Sequence, residues 1–399
     1  MEKFASKPRI SDLFSPPQCK KIYRLLDITE SDSSNVRILD EVLLSSGSLV
    51  LYSHLEPTPT TNHIKGIIVH HAPYADPVIV CQSYPHTPEL SVEDASLPQY
   101  RELVTIDEST EVTNAVEGTI LRVFCVNNGA WYISTHKKID GTLSKWSGPT
   151  FGELFYDIWG EIGLRKHLIP GYCYVFLLRH PKNRVVCELE KELLLVAVYE
   201  PNYNGKLRKM SRREMLFAIP DDTGLNADRP QLTHPYMVQH TLPISTTEKL
   251  LEVAGLLDPC RSTGLLVCKD EGKKLFKIVA PGYEKLRAAR GNEANIYMGY
   301  LSALRDGSVE TMKTLREIYP ADRGAFDEIE EMYRLLPDSL LDLYNTRYIQ
   351  SRYLRLLPVE HFVVSRAHEK VLAEKIQPRQ SIISILATMS LSQLYSMVV

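Results

Sequence analysis

Val116–Gly141 reads VEGTILRVFCVNNGAWYISTHKKIDG. Two runs dense in β-branched and aromatic residues, Thr119 to Val126 and Trp131 to Thr135, flank Asn127-Asn128-Gly129. An Asn-Gly pair between such runs predicts a tight hairpin, because both residues tolerate the positive φ that the turn requires. The stretch is therefore a two-stranded ribbon, entered through Glu117-Gly118-Thr119 and left through Lys137-Lys138-Ile139-Asp140-Gly141.

Outward from this ribbon the chain changes character twice. Residues 1–45 contain a short helix around Gln18–Leu26 and then polar, Ser-rich sequence, and are expected as an N-terminal arm. From Ser46 short strands dominate (Leu49–Ser53, Ile64–His70, Val78–Gln82), with Pro57, Pro59, Pro73, Pro77, Pro85 and Pro88 marking loops between them. Beyond the ribbon, Leu154, Phe155, Ile158, Ile162 and Leu164 recur at helical spacing within Phe151–Leu168. Strands follow at Tyr172–Leu178 and Val185–Tyr199, the latter broken by a charged turn at 188–192. Ser211-Arg212-Arg213-Glu214 reads as a capping box, and Gly264–Val279 as a hairpin around Asp270-Glu271-Gly272. After Pro281 the spacing of Phe326, Ile329, Met332 and Tyr333, and of Leu340, Leu341, Tyr344 and Tyr348, is helical. The expected class is α+β, with antiparallel sheets over residues 46–281 and an α-helical domain over 282–399.

The chain has 399 residues, 44% apolar and 24% charged, enough for more than one packed core. A net charge of -3 excludes a wholly basic nucleic-acid protein, so any nucleic-acid contact has to use a local patch. No run approaches eighteen apolar residues and MEKFASKPRISD lacks an apolar signal core, so no membrane partner and a cytoplasmic location are expected. The seven cysteines form no C-x-x-C and the histidines no ligand spacing, so they are read as structural and no metal site is assigned. Trp131, Trp146 and Trp159 are expected to anchor the core around the ribbon.

Both ends of the ribbon resemble K-x-D/E-G, in which a strand-terminal lysine attacks the α-phosphate of a nucleotide. Such a lysine has to be neutral, which burial achieves by lowering its pKa. At the exit Lys138-Ile139-Asp140-Gly141 supplies the lysine. At the entrance Ala115-Val116-Glu117-Gly118 has alanine in its place. Further motifs follow in the right order for the RNA ligase 1 family, the tRNA-repair ligases of bacteriophages and their divergent relatives in large DNA viruses. Ile64-Lys65-Gly66-Ile67-Ile68-Val69 resembles R-G-h-h-F, Gln82-Ser83-Tyr84-Pro85 resembles S-R-P, and Glu117-Gly118-Thr119-Ile120-Leu121 resembles D-G-S-L-h. Phe176-Leu177-Leu178-Arg179-His180-Pro181-Lys182-Asn183-Arg184-Val185-Val186 resembles F-E-h-h-x-P-x-N-R-I-V. The 58 residues from Gly118 to Phe176 suit the family interval, whereas Gly141 leaves 35, and this favours the entrance register.

In that register the resemblance implies a nucleotidyltransferase (RNA ligase) domain whose catalytic letters are largely replaced. Ala115 stands at the nucleophile, Leu177 at the carboxylate of F-E-h-h, and Thr263-Gly264 at E-G. Lys277-Ile278-Val279 keeps only the first lysine of K-h-K. Glu117, Lys137 and Lys277 are the implied nucleotide-binding positions. Arg184, with the basic run Lys206, Arg208, Lys209, Arg212 and Arg213, is a candidate RNA contact, because cations release counterions on meeting phosphate. Arg347, Arg352 and Arg355, interleaved with Tyr348 and Tyr353, have the chemistry of base stacking beside phosphate contact. Three readings follow. The first is an RNA- or partner-binding pseudoenzyme, its RNA being tRNA or broken RNA ends. The second is an active ligase using ATP and Mg²⁺ through a lysyl-AMP at Lys138. The third is a structural, virion-associated protein.

Overall fold

In the computed structural model the described residues are 6–126, 129–160, 168–217, 237–238, 240–270 and 274–399. They divide into two compact units, Met1–Glu284 and Lys285–Val399. The class is α+β: antiparallel sheets in the first unit, helices in the second.

The strands in chain order are β1 (Val36–Leu44), β2 (Gly47–His54), β3 (Lys65–His71), β4 (Val78–Cys81), β5 (Glu89–Leu90), β6 (Glu111–Ala115), β7 (Thr119–Cys125), β8 (Trp131–Ser134), β9 (Cys173–Arg179), β10 (Glu192–Pro201), β11 (Leu207–Lys209), β12 (Met237–Val238), β13 (Gly264–Lys269) and β14 (Lys274–Val279). They form three sheets with the orders β1-β2-β3-β4, β11-β10-β9-β7-β8 and β5-β14-β13-β6. Pairing is antiparallel except for two short additions, β5 on β14 and β12 on β10.

The ribbon pairs Cys125 with Trp131 and Val123 with Ile133, and Gly129 takes φ +77°; Asn127 and Asn128 lie outside the described residues. Period-2 alternation gives its sheet two apolar faces. Leu121, Val123, Phe176, Leu178, Leu193 and Leu195 pack on Phe155 and Trp159 of the helix Phe151–Trp159, while Phe124, Val175, Ala197 and Tyr199 pack on Leu49, Leu51, Ile68 and Cys81 of the first sheet. The helix opens with a capping box, in which Glu153 N–H donates to Thr150 Oγ1 (3.2 Å) and Thr150 N–H to Glu153 Oε2 (2.7 Å). Gly160 caps the described helix, and the remainder of the expected Phe151–Leu168 helix, residues 161–167 with Ile162 and Leu164, lies outside the described residues.

The expected N-terminal arm is corrected. Val36–Leu44 is a full strand, and Ile10, Ile22 and Leu26 are buried against Val50, Tyr52 and Val69. The helix is Pro16–Leu25, whose Cys19, Ile22 and Leu25 face that core, so its polar outer positions hid a buried stripe. Trp146 is also corrected, since it is 46% exposed while Trp159 is buried. The expected strand from Val185 begins only at Glu192. In the 264–279 hairpin Lys269 faces Lys274, and 271–273 lie outside the described residues.

The second unit comprises the helices Ile296–Arg305, Val309–Ile318, Arg323–Tyr344, Pro358–Glu374, Pro378–Thr388 and Leu391–Val398. Phe326, Ile329, Leu340 and Tyr344 are buried along the longest, whereas Met332 faces outward.

Candidate functional site

Between β6 and β7 the chain passes from the third sheet into the second, over Ala115-Val116-Glu117-Gly118. Ala115 lies opposite Gly264, and its carbonyl accepts from Thr263 N–H (2.7 Å), Thr263 Oγ1 (2.6 Å) and Ser262 Oγ (3.1 Å). Gly118 has no room for a side chain. A Cβ there would stand 2.7 Å from the Leu178 carbonyl oxygen and 2.8 Å from Leu177 Cγ. Leu177 in turn lies in register between Ile120 and Leu194, so this row across β7, β9 and β10 is apolar.

Glu117 is buried. One of its oxygens accepts from Val185 N–H, and the other from Val186 N–H (2.8 Å), Cys187 N–H (3.1 Å) and the Tyr283 hydroxyl (3.2 Å). Asn183 Nδ2 donates to Thr119 Oγ1 at 2.8 Å. The Pro181–Val186 motif is thereby fastened to the β6–β7 passage by a charge-assisted cluster, and the two most distinctive stretches of the sequence meet in space. The Glu117 carboxylate faces protein backbone. Arg184 turns back on itself, donating to the Val186 carbonyl at 3.1 Å.

Lys277 on β14 stands opposite Glu89 of β5. Its Nζ lies 3.0 Å from Glu89 Oε1 and 5.7 Å from the centre of the Tyr283 ring. Lys65, the first residue of β3, has its pKa lowered by burial, and the negative charge of Glu89 partly offsets this. One half-exposed carboxylate thus acts on two lysines from different sheets. His136 is held well below its ordinary pKa by burial and then by the charges of Arg122, Lys65 and Lys137, and its Nε2 lies 3.0 Å from Ser83 Oγ. Burial also lowers His86. Arg122 is fully buried and donates to the Gly66 and Thr135 carbonyls, joining β3 to the ribbon. Lys65 lies inside a motif the sequence had marked, but Glu89, His86 and His136 sit in Pro-rich or turn sequence without any spacing signature.

The other sequence candidates lie elsewhere. Lys138 is 55% exposed at its side chain, its Nζ 3.0 Å from Asp40 Oδ1, while Asp40 Oδ2 accepts from Ile139 N–H at 2.9 Å. Asp140 accepts from Thr142 N–H and Oγ1 (3.0 and 2.6 Å), so the K-I-D-G turn is held on β1 and on itself. Lys137 N–H donates to Thr135 Oγ1 at 3.3 Å. In the basic run Lys206 pairs with Asp27 (2.5 Å). Arg208 is clamped between Glu200 (Nε, 2.7 Å) and Glu214 (2.9 Å), which raises its pKa and brings Glu214 down to about 2. Glu214 also completes the expected capping box, accepting from Ser211 N–H at 2.7 Å. Lys209 sits 4.9 Å above the Tyr84 ring, Arg213 is exposed, and the Arg212 side chain lies outside the described residues.

Lys209 and Tyr84 also line a cavity of about 570 Å³ between β10–β11 and the third sheet, with Glu111, Thr113, Leu266 and Cys268 on its other wall. Among the described residues no three His, Cys, Asp or Glu side chains are grouped to hold a metal ion, and Leu177 and Thr263 supply no carboxylate. At these two positions the residues do not fit the Mg²⁺ site that the resemblance implies. No helix among them is long and apolar enough to cross a membrane.

No family model matches the chain. It is similar to the immediate-early protein ICP-46 homolog of Invertebrate iridescent virus 6, 23% identical over 317 residues, covering 73% of this chain and 64% of that protein. It is likewise similar to the homolog of Invertebrate iridescent virus 3, 25% identical over 265 residues, covering 63% of this chain and 52% of that one. The chain thus spans between about half and two thirds of these relatives. Among solved structures it is similar to an archaeal ATP-dependent RNA ligase (form 2; TM-score 0.44, 13% identity, 74% of this chain and 76% of that one). It is also similar to a putative ATP-dependent DNA ligase from Aquifex aeolicus (TM-score 0.41, 12% identity, 94% and 88%).

Proposed function

We propose that residues 46–281, now with the packed N-terminal segment, are a ligase-type nucleotidyltransferase domain that has lost the covalent step, and that the protein is an RNA-binding pseudoenzyme. The observation that carries this reading is the passage Ala115–Gly118. It joins the two sheets where the family motif puts its attacking amine, yet it offers a methyl group, and Leu177 packs over the neighbouring glycine. Covalent catalysis needs an enclosed amine and carboxylates to organise the metal. Lys138 is instead open to water and engaged with Asp40. Resemblance to the iridescent-virus proteins supports a viral origin.

What remains is a phosphate-holding arrangement. Lys65 and Lys277 around Glu89 would hold the phosphates of ATP or of an RNA 5′ end. A filter-retention assay with labelled ATP and with 5′-phosphorylated RNA tests this. The expected result is non-covalent retention that drops at least several-fold in Lys65→Ala and Lys277→Ala. Equal retention by the variants and the parent protein would overturn it and favour the structural, virion-associated reading.

A further inference from the structure

From Asn345 to Val359 the second unit carries three arginines, Arg347, Arg352 and Arg355, and no carboxylate. The segment is also where this unit leaves regular structure. Asn345–Ile349 is a widened, π-type turn that ends the long helix, Ser351 takes the left-handed φ of +52°, and residues 351–357 run without helix or strand until Pro358 starts the next helix. Ordinary packing does not explain its side chains. Tyr353 is 97% exposed, Ile349 and Leu357, each four residues from it in sequence, are open to water, and Phe362 on the following helix is about half exposed.

Its two ends are nevertheless fixed. Tyr348 stacks on His368 with ring centres 3.8 Å apart and planes 8° from parallel, its hydroxyl reaching Ser365 Oγ at 3.4 Å. Arg347 lies 5.6 Å over the Tyr348 ring and donates to His361 Nε2 at 3.3 Å. Arg352 N–H donates to the Thr346 carbonyl (3.1 Å), and Leu357 N–H to Glu360 Oε2 (2.8 Å). The exposed aromatic ring is thus presented from a tethered segment, which lowers the ordering cost of any contact it makes.

We infer that residues 347–355 form a stacking platform for single-stranded RNA, with the Tyr353 ring taking a base and Arg352 and Arg355 taking flanking phosphates. Aromatic faces stack on any base, and arginines meet phosphate bidentately and stack as well. A bilayer surface would also attract cations beside apolar groups. The observations favour RNA because the cations are all arginine and the most exposed ring is a tyrosine within one and two residues of two of them. This deepens the RNA-binding reading by naming a contact surface, and it does not depend on Lys65 and Lys277 of the first unit.

The test is fluorescence anisotropy of the full chain with a labelled single-stranded oligoribonucleotide of mixed sequence, beside its duplex and beside phosphatidylserine/phosphatidylcholine vesicles. The expected result is a single-strand preference and a loss of roughly five- to hundred-fold in Tyr353→Ala, largely restored by Tyr353→Phe. Arg352→Ala/Arg355→Ala is expected to flatten the slope of log affinity against log salt by about 1.4, from about 0.7 per single-strand phosphate. Unchanged affinity in Tyr353→Ala, a preference for duplex, or vesicle capture lost in Tyr353→Ala without RNA binding would each overturn the platform. Failure here with intact ATP retention at Lys65 and Lys277 would leave the phosphate-holding reading standing, and loss of that retention with the Tyr353 effect preserved would be the reverse case.

Discussion

Replacing Glu117 by alanine tests how the site is built. Two effects oppose each other. Removing the carboxylate relieves the cost of burying a charge, of the order of several kcal/mol. It also leaves the N–H groups of Val185, Val186 and Cys187 and the Tyr283 hydroxyl without their acceptor, in a place where Glu117 itself is only 6% exposed. Each orphaned buried donor costs about 1–3 kcal/mol, so four of them outweigh the relief, and a net loss of about 3–5 kcal/mol is expected after water enters the cavity. For a unit of this size that corresponds to a fall in melting temperature of roughly 5–15 °C. Tyr283→Phe removes one donor together with its need for a partner and is expected to cost about 1 kcal/mol. Amide hydrogen exchange gives the local readout: protection of Val185, Val186 and Cys187 is expected to fall in Glu117→Ala more than protection of β9. A melting temperature within 2 °C of the parent (~1 kcal/mol or less), with those three amides still protected, would refute the assignment of Glu117 as the clamp.

Gly118→Ala is expected to destabilise by about 1–3 kcal/mol, because the new methyl meets Leu178 O and Leu177 Cγ, and adding Leu177→Ala should recover only part of this, since the carbonyl remains; chemical denaturation of the single and double variants checks it. Burial, then the charge of His86, lowers His54 to about 4, against about 6.5 in the unfolded chain, so the unfolded state binds more protons between these values. Stability from His54 is therefore fully present above about pH 6.5 and lost as pH falls toward 4, by about 1–2 kcal/mol at pH 5 after discounting for partial exposure. Urea midpoints at pH 7 and pH 5 should lie closer together in His54→Gln, and an unchanged gap would contradict this. Ala115→Lys alone is expected to form no nucleotide adduct, because Leu177 and Thr263 still provide no carboxylate; covalent label in that single variant would show that those carboxylates are not required.

The α+β class and the order of elements were legible because β-branched alternation and helical spacing report which faces are buried. The ribbon, the Gly264–Val279 hairpin and the Ser211–Glu214 box each carry local turn or cap chemistry, and local chemistry is what a sequence displays. The N-terminal segment was misread since its buried stripe, Ile10, Cys19, Ile22 and Leu26, is diluted by lysines and serines that cover the outer face. Of the candidate site, Lys277 and Glu117 are linked through Tyr283, a connection that spans 166 residues of sequence and leaves no spacing to detect. Glu89 was missed for the same reason: its partner Lys277 is 188 residues away. The basic run looked free because Asp27, Glu200 and Glu214, which engage Lys206 and Arg208, come from separate elements.

Whether an amine of this chain ever takes a nucleotide separates a pseudoenzyme from a ligase. Intact-mass measurement of the full-length protein after incubation with ATP, and separately GTP, in the presence of Mg²⁺ answers that directly. The expected spectrum contains the unmodified chain alone. A species heavier by one nucleoside monophosphate, stable to base, labile to acid and absent in Lys138→Ala, would contradict the account and restore the active-ligase reading.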